Sequence, residues 1–233
     1  MTGLQPRASS FLPALLDEGE IINDEVEEDR LAFLTLTANT TPHATRYSCL
    51  SINRKLFEQG DILAQIVEKI VIPNVALRES DAEMFEDDPF EYVQRDMEGS
   101  DTDSRRRCGV DLLRACVRTF GGEVVRIVQG HVQGLIGTYE QNKAGNWAQK
   151  DAAVVLISAT GSKAASPALG VTEVTEGVDI IDFFAKQVIP DLQSPPHDMI
   201  LAAGIKYVTT FRNQFTRQQL GQVFGGVIAA LRR

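Results

Sequence analysis

The chain is 233 residues long, and its 43% hydrophobic and 24% charged residues are typical of a folded globular protein. A formal net charge of −9 argues against nucleic acid as the main partner, because phosphate binding needs clustered lysine and arginine. The longest apolar runs, such as 152–159, are far shorter than the roughly 20 residues of a membrane span. Three cysteines make no disulfide framework. These features predict a reduced intracellular protein that binds neither nucleic acid nor membranes.

Helical periodicity is the dominant pattern along the chain. Apolar residues recur at three- and four-residue steps from Asp103 to Phe120, and Gly121 and Gly122 then supply a stop. The pattern predicts helices near 28–39, 45–57, 61–77, 103–120, 122–142, 146–162, 178–192, 197–212 and 216–231. Residues 164–177, rich in Ala, Ser, Gly and Thr, are predicted to be a loop. No alternating run predicts a sheet, so the predicted fold class is all-α.

Several predicted helices have start signals in the sequence. Segments 146–149 and 216–219 resemble capping boxes, in which the first and fourth side chains bond to each other's backbone. Ser194 followed by Pro195 is typical of a proline at the first helical position.

A short sequence occurs twice and indicates which all-α architecture is present. The segment KIVIPNV at Lys69–Val75 is matched by KQVIPDL at Lys186–Leu192, 117 residues later. That offset equals three periods of 39 residues, close to the ~40–47 residues of helix-pair repeats. A proline near the end of an apolar helix bends or ends it, so the repeat suggests one structural device used twice. The sequence therefore predicts an α-solenoid of HEAT-type antiparallel helix pairs.

The acidity of the chain is concentrated in residues 79–103, which we call the acidic segment. It contains eleven carboxylates and one cation, Arg95, so its charge is −10 and the rest of the chain sums to +1. Such a run is most simply a solvated insertion or linker. Aromatic residues are interleaved with the charges, however, so the segment could also pack on the solenoid and steer a basic partner towards it.

The arginines that follow the acidic segment have two interpretations as well. Arg105, Arg106 and Arg107 begin the next predicted helix, where cations oppose the helix dipole. They either pair back to the acidic segment, which we favour, or contact an anionic partner. The candidate partner-binding residues are Glu83, Phe85, Glu86, Asp87, Asp88, Glu91, Tyr92, Glu98, Asp101, Arg105 and Arg106.

The sequence offers no arrangement typical of catalysis. The three histidines, His43, His131 and His197, have no second ligand at metal spacing, and Cys108 and Cys116 fit core positions better than a zinc site. The run ATGSKA at 159–164 lacks the spacing of a phosphate-binding loop and predicts a helix end. We expect no catalytic residue, no metal and no cofactor, and hence no enzyme.

Three stretches of the sequence resemble a known family. EKIVIPNVALRESDAEMFEDDPFEYVQRDMEGSDTDSRRRCGVDLLR (68–114), NWAQKDAAVVLISATGSKA (146–164) and GIKYVTTFRNQF (204–215) are similar, in this order, to the CAS-type exportins of the importin-β superfamily. These are nuclear export receptors for importin-α. The resemblance runs from about Leu56 to Phe215 and concerns the central portion of longer family members.

The resemblance implies a HEAT-repeat superhelix without enzyme activity, which binds importin-α and Ran-GTP and shuttles between nucleus and cytoplasm. The family's acidic insertion, a contact for Ran and a hinge, corresponds to 79–103. We therefore expect a HEAT-repeat exportin domain at 46–233, preceded by an unmatched and partly helical segment at 1–45. The alternative is a structural α-solenoid scaffold with no transport role of its own.

The last predicted helix has apolar residues on more than one face, among them Val223 and Phe224. From this pattern we expect an apolar surface at this end of the chain, with self-association and weaker partner binding than in a longer receptor.

Overall fold

The structure is a computed structural model that describes residues 61–92, 104–166 and 168–230, with side chains up to Phe224. The helices predicted near 28–39 and 45–57, and the whole of segment 1–45, lie outside the described residues. Within the described part of the chain, no helix is long and apolar enough to cross a membrane.

The described residues are mostly helical. In chain order the helices are α1 Ile62–Ile66, α2 Ile72–Val75, α3 Glu79–Asp87, α4 Pro89–Tyr92, α5 Arg105–Phe120, α6 Gly122–Gln141, α7 Trp147–Gly161, α8 Ile180–Phe183, α9 Ile189–Gln193, α10 Asp198–Phe211 and α11 Arg217–Ala230. The helical predictions from residue 61 onwards are confirmed, and α3 and α4, inside the acidic segment, are additional helices.

The best-predicted pair, α5 and α6, begins and ends as its sequence indicates. The Ser104 hydroxyl caps α5 by accepting a hydrogen bond from the backbone N–H of Arg107 at 3.2 Å. Gly121 separates the two helices with a φ of 58°, in the left-handed region that glycine adopts without strain. The apolar stripe of α5, which includes Leu113 and Cys116, is buried.

The duplicated heptapeptide forms the same irregular helix in both places. A π-helical turn, Val67–Val71, joins α1 to α2, and a second, Phe184–Val188, joins α8 to α9. Pro73 and Pro190 lie in the first turn of the α-helix that follows. Proline has no N–H and its ring clashes with the carbonyl four residues earlier, so a wider π-helical turn accommodates it. The prediction of one device used twice is confirmed.

The other start signals gave mixed results. Thr216 and Gln219 form the predicted capping box, with reciprocal bonds of 2.8 and 3.2 Å. The box predicted at 146–149 is wrong, because the Asn146 amide bonds to a carbonyl of α6 instead of capping α7. The prediction for Pro195 is also wrong: α10 begins later, at Asp198, with His197 as its cap.

Each helix packs on neighbours along the chain around one hydrophobic core. Helix α7 lies centrally, in contact with α5, α6 and α10, and α9 contacts α10 and α11. Most of α7 is buried, consistent with a sequence that is apolar on nearly all sides after Asp151. In α11, Val223 is buried whereas Phe224 is 62% exposed.

The predicted loop 164–177 is wrong in part, because it contributes to an antiparallel hairpin. Strand β1, Ser162–Ser166, pairs with β2, Gly170–Val174. The hairpin is held by the turn that follows α10: Arg212 donates to the carbonyl of Ala168 at 2.8 Å, and Gln214 donates to that of Val171 at 2.8 Å. The run at 159–164 does contain the predicted helix end, at Gly161.

Candidate interaction site

Arg105 joins the start of the acidic segment to the preceding helix. Its guanidinium donates to the carbonyls of Pro73 and Ala76 at 2.5 and 2.8 Å, and to the carboxylate of Asp81 at 3.0 Å. Asp81 also accepts from the backbone N–H of Arg78 at 2.8 Å, closing the first turn of α3. Burial, followed by the nearby charge of Arg78, lowers the pKa of Arg105, and Asp81 opposes that shift. Arg105 is therefore a structural cation at this junction.

Arg106 ties the other end of the described acidic helices to the core. It donates to the Tyr92 hydroxyl at 2.9 Å and to the Asp151 carboxylate on α7 at 2.5 Å. All three residues are nearly inaccessible, with 7%, 4% and 2% exposure for Arg106, Tyr92 and Asp151 respectively. Arg105 thus pairs back to the acidic segment, as we favoured, whereas Arg106 contacts the segment through Tyr92 and has its carboxylate partner outside it.

Four rings extend this connection across the surface. The ring of Phe85 meets that of Tyr92 edge-on, with centroids 5.5 Å apart, and lies 6.3 Å from that of His197. His197 stacks on Trp147, at 4.0 Å between centroids and 9° between planes. We call Tyr92, Phe85, His197 and Trp147 the aromatic row. It connects the acidic helices to the starts of α7 and α10.

A surface groove of about 470 Å³ runs beside the aromatic row. One wall comes from the acidic helices and the other from the connection between α9 and α10. The lining residues are Phe85, Glu86, Pro89, Pro195, Pro196, His197 and Asp198. Residues separated by more than 100 positions in the sequence thus form one concavity. Phe90, which follows the lining residue Pro89 in the sequence, is 72% exposed.

The predicted partner-binding residues fall into four groups. The structure exposes Glu83, Glu86, Asp87, Asp88 and Glu91 on α3, α4 and the residue between them. Phe85 and Arg105 are half-buried, whereas Tyr92 and Arg106 are buried. Glu98 and Asp101 lie outside the described residues.

The exposed carboxylates differ in what they contact. Asp88 accepts a hydrogen bond from the backbone N–H of Glu91 at 2.9 Å and so begins α4. In the described part of the chain, no lysine or arginine forms an ion pair with Glu83, Glu86 or Asp87. Their charge is directed to solvent.

Sequence reasoning missed a second buried charge cluster. Lys150 on α7, 1% exposed, lies 3.0 Å from the Asp191 carboxylate and donates to Gln187 at 2.7 Å. Tyr139 on α6 donates to Asp191 at 2.7 Å, and its ring lies 4.8 Å from the Lys150 ammonium. Burial lowers the pKa of Lys150, while Asp191 partly restores it. The available signal was the pair of charges at 150–151, directly before a long apolar run.

Among the described residues, no group of three or more His, Cys, Asp or Glu side chains is placed to hold a metal ion. Burial raises the pKa of the Cys116 thiol to about 12, which keeps it protonated and unreactive at neutral pH. The arrangement fits recognition of a protein surface.

Known proteins resemble this chain over most of its length. A profile of the Cse1 family matches residues 24–233. The Schizosaccharomyces pombe protein named "Importin-alpha re-exporter" is 40% identical over 204 residues, which are 86% of this chain and 20% of that protein. "Exportin-2" of Xenopus laevis is 41% identical over 170 residues, and that of Homo sapiens 40%; each match covers 72% of this chain and 18% of the relative.

A solved structure, described as "The exportin Cse1 in its cargo-free, cytoplasmic state", superposes with a TM-score of 0.70. The match has 38% sequence identity and covers 74% of this chain and 19% of that one. The likeness confirms the predicted α-solenoid class. The chain spans about a fifth of the length of the curated relatives that it matches. With a family profile matched over most of its residues and relatives about 40% identical, the chain belongs to the Cse1 family.

Proposed function

We propose that the chain is part of a nuclear export receptor that returns importin-α to the cytoplasm together with Ran-GTP. The observation that carries this proposal is the 40% identity, over 86% of the chain, to a protein named for importin-α re-export. Export of a protein cargo requires movement between nucleus and cytoplasm and surfaces for protein binding. It requires no catalytic site, cofactor or metal in the receptor.

Residues 46–233 would then act as a HEAT-repeat unit, with 79–103 as an insertion and 1–45 as a preceding segment. Within that unit, the exposed carboxylates Glu83, Glu86 and Asp87 are the strongest candidates for contact with a basic partner surface. Buried Arg106 and Tyr92 position the acidic helices, so their contribution to binding would be indirect. Arg105 would act in the same way through Asp81.

The direct test is capture of purified importin-α by the immobilised chain, with Ran loaded with GTP or with GDP. The receptor role predicts capture that increases with the GTP form and is weak with the GDP form. Absence of capture in both nucleotide states would contradict the role for this part of the receptor.

The rival candidate is a passive solenoid scaffold, which the inward pairing of Arg105 and Arg106 favours. A scaffold would give the same weak capture whichever nucleotide Ran holds. The comparison of nucleotide states therefore separates the two functions.

A further inference from the structure

We propose that the groove beside the aromatic row is a docking site for an arginine side chain on an extended segment of a protein partner. The inference deepens the proposed receptor role and rests on it for the class of partner. The inference specifies where on the surface the partner binds and which chemical group is recognised there.

The groove is a built feature with stiff walls. Pro195 and Pro196 have backbones restricted by their rings. His197 is fixed at both sides, since its Nδ1 accepts from the backbone N–H of Met199 at 3.2 Å and its ring stacks on Trp147. A groove that is already ordered needs little rearrangement when it binds a segment.

The other wall of the groove, formed by the acidic helices, is held in place by buried residues. The hydroxyl of Tyr92 accepts from buried Arg106, and the ring of Tyr92 supports that of Phe85. Phe85 therefore presents its ring to the groove from a fixed position. The groove, about 470 Å³ in volume, is open to solvent and large enough for a side chain of a bound segment.

The charges in and around the groove select a cation. Glu86 and Asp198 line it and are exposed, and Glu83 and Asp87 extend the negative surface along α3. Flat rings beside carboxylates suit a guanidinium, which stacks on aromatic faces and pairs with carboxylates through two parallel hydrogen bonds. The carboxylates that continue along α3 favour an extended basic segment over an isolated cation.

The chain's own acidic segment is a poor occupant. Residues 93–103, which follow α4, carry four carboxylates and one arginine, a net charge of −3. Like charges would oppose their entry between Glu86 and Asp198. A basic segment of a protein partner has the opposite charge and is the occupant that the groove favours.

Trp147, the single tryptophan of the chain, reports on the groove through its stacking on His197. The 233-residue chain is titrated with acetyl-Gly-Arg-Gly-Arg-Gly-amide while tryptophan fluorescence is recorded. The matched probe replaces both arginines by citrulline, which has nearly the same shape and no charge. We expect a saturable change with the arginine peptide and none with the citrulline peptide at equal concentration.

The variants assign the binding to the groove. Glu86→Gln is expected to weaken binding of the arginine peptide by about threefold, which is the effect of losing one exposed ion pair. The double variant Glu86→Gln/Asp198→Asn should weaken it by about tenfold. Glu123→Gln, an exposed carboxylate on α6, is the matched control and should leave binding unchanged. Circular dichroism confirms that each variant is folded.

The proposal is overturned if the arginine peptide gives no saturable change, if citrulline serves equally well, or if Glu86→Gln binds as the unaltered chain does. If the arginine peptide gives no fluorescence change but the chain still captures importin-α, the groove is not a binding site and the receptor role is unaffected. Peptide binding without capture of importin-α would support the groove and contradict the receptor role.

Discussion

Arg106 shows how a single side chain holds the acidic helices to the solenoid. Its guanidinium is shared between Tyr92 on α4 and Asp151 on α7, and all three are buried. A buried ion pair gains little over an apolar pair, but removal of one partner leaves the other charge uncompensated. Arg105 and Arg106, the first two residues of α5, thus have structural partners, whereas Glu83, Glu86 and Asp87 on α3 face solvent.

Replacement of Arg106 by methionine should lower the free energy of unfolding by about 3–5 kcal/mol, because Asp151 would remain buried and charged. The measurement is urea unfolding followed by circular dichroism. Arg114→Met is the control: its 3.4 Å pair with Asp111 is exposed, so the loss should stay below about 1 kcal/mol. Arg106→Met/Asp151→Leu should recover stability relative to Arg106→Met. A double variant no more stable than the single one would contradict this account.

Cys116 gives the stability of the fold a defined dependence on alkaline pH. Burial raises the pKa of its thiol from 9.0 to about 12, so the folded state keeps its proton after the unfolded chain has lost it. The contribution of the buried thiol to the free energy of unfolding is complete below pH 9 and is lost as the pH rises towards 12. Burial also raises the pKa of Tyr139 and of Tyr207, and these phenols add to the loss above pH 10.

The slope of unfolding free energy against pH, measured between 9 and 10, should therefore be less negative in Cys116→Ala than in the unaltered chain. Lys150 contributes with the opposite sign, since burial lowers its pKa, but it is present in both proteins and cancels in the comparison. Equal slopes would show that the thiol does not titrate differently in the folded state.

Residue-scale features of the site were only partly predictable. The sequence places Arg106 beside the acidic segment, but its carboxylate partner Asp151 is 45 residues away and on another helix. Lys150 is similar, because only the stacking of helices brings Asp191 to it. Periodicity indicates which face of a helix is buried and does not indicate which charges meet there.

At the scale of elements, the helices were predictable because their signals are local. The prediction of 103–120 corresponds to Arg105–Phe120, and that of 122–142 to Gly122–Gln141. The hairpin was not predictable, since β1 has no buried residue and lacks an apolar alternation. It is fixed by contacts from Arg212 and Gln214, more than 40 residues further along the chain.

The hairpin packs so closely at Gly170 that the methyl group of an alanine there would displace it. Gly170 has a φ of 72°, and an added Cβ would lie 2.4 Å from the carbonyl oxygen of Thr210. Gly170→Ala should cost about 1–3 kcal/mol in unfolding free energy, because backbone strain and a displaced hairpin combine. Gly134→Ala in α6 has open space around it and should stabilise the chain by about 0.5–1 kcal/mol. Thermal melting of both variants checks the pair, and a Gly170→Ala protein as stable as the unaltered chain would refute the packing argument.

At the scale of the molecule, charge is distributed unevenly along the chain. The acidic segment carries −10 and the remaining residues +1, so reversing charges there changes the field that a partner meets. Glu86 and Asp87 suit this change, because the described contacts of the fold do not use them. Asp88 is better left unaltered, since it begins α4.

Under the proposed receptor role, Glu86→Lys/Asp87→Lys should weaken capture of importin-α and Ran-GTP by on the order of tenfold at low salt, and by less at high salt where the field is screened. Glu123→Lys/Glu176→Lys makes the same change in net charge on exposed residues away from the acidic helices and should have little effect. Binding titrations at two ionic strengths compare the two variants. Equal binding by both would show that the acidic segment is passive.

The order of two neighbouring charges on α7 has a consequence for misfolding. Lys150 pairs with Asp191 on one side, and Asp151 pairs with Arg106 on the other. If α7 shifted by one residue so that Lys150 took the position of Asp151, it would face Arg106. If α7 shifted the other way, Asp151 would take the position of Lys150 and face Asp191. Either shift buries two like charges at a cost of several kcal/mol. Stacked helix pairs of similar shape can be trapped in shifted alignments during folding, and this charge order makes both of the nearest traps unfavourable.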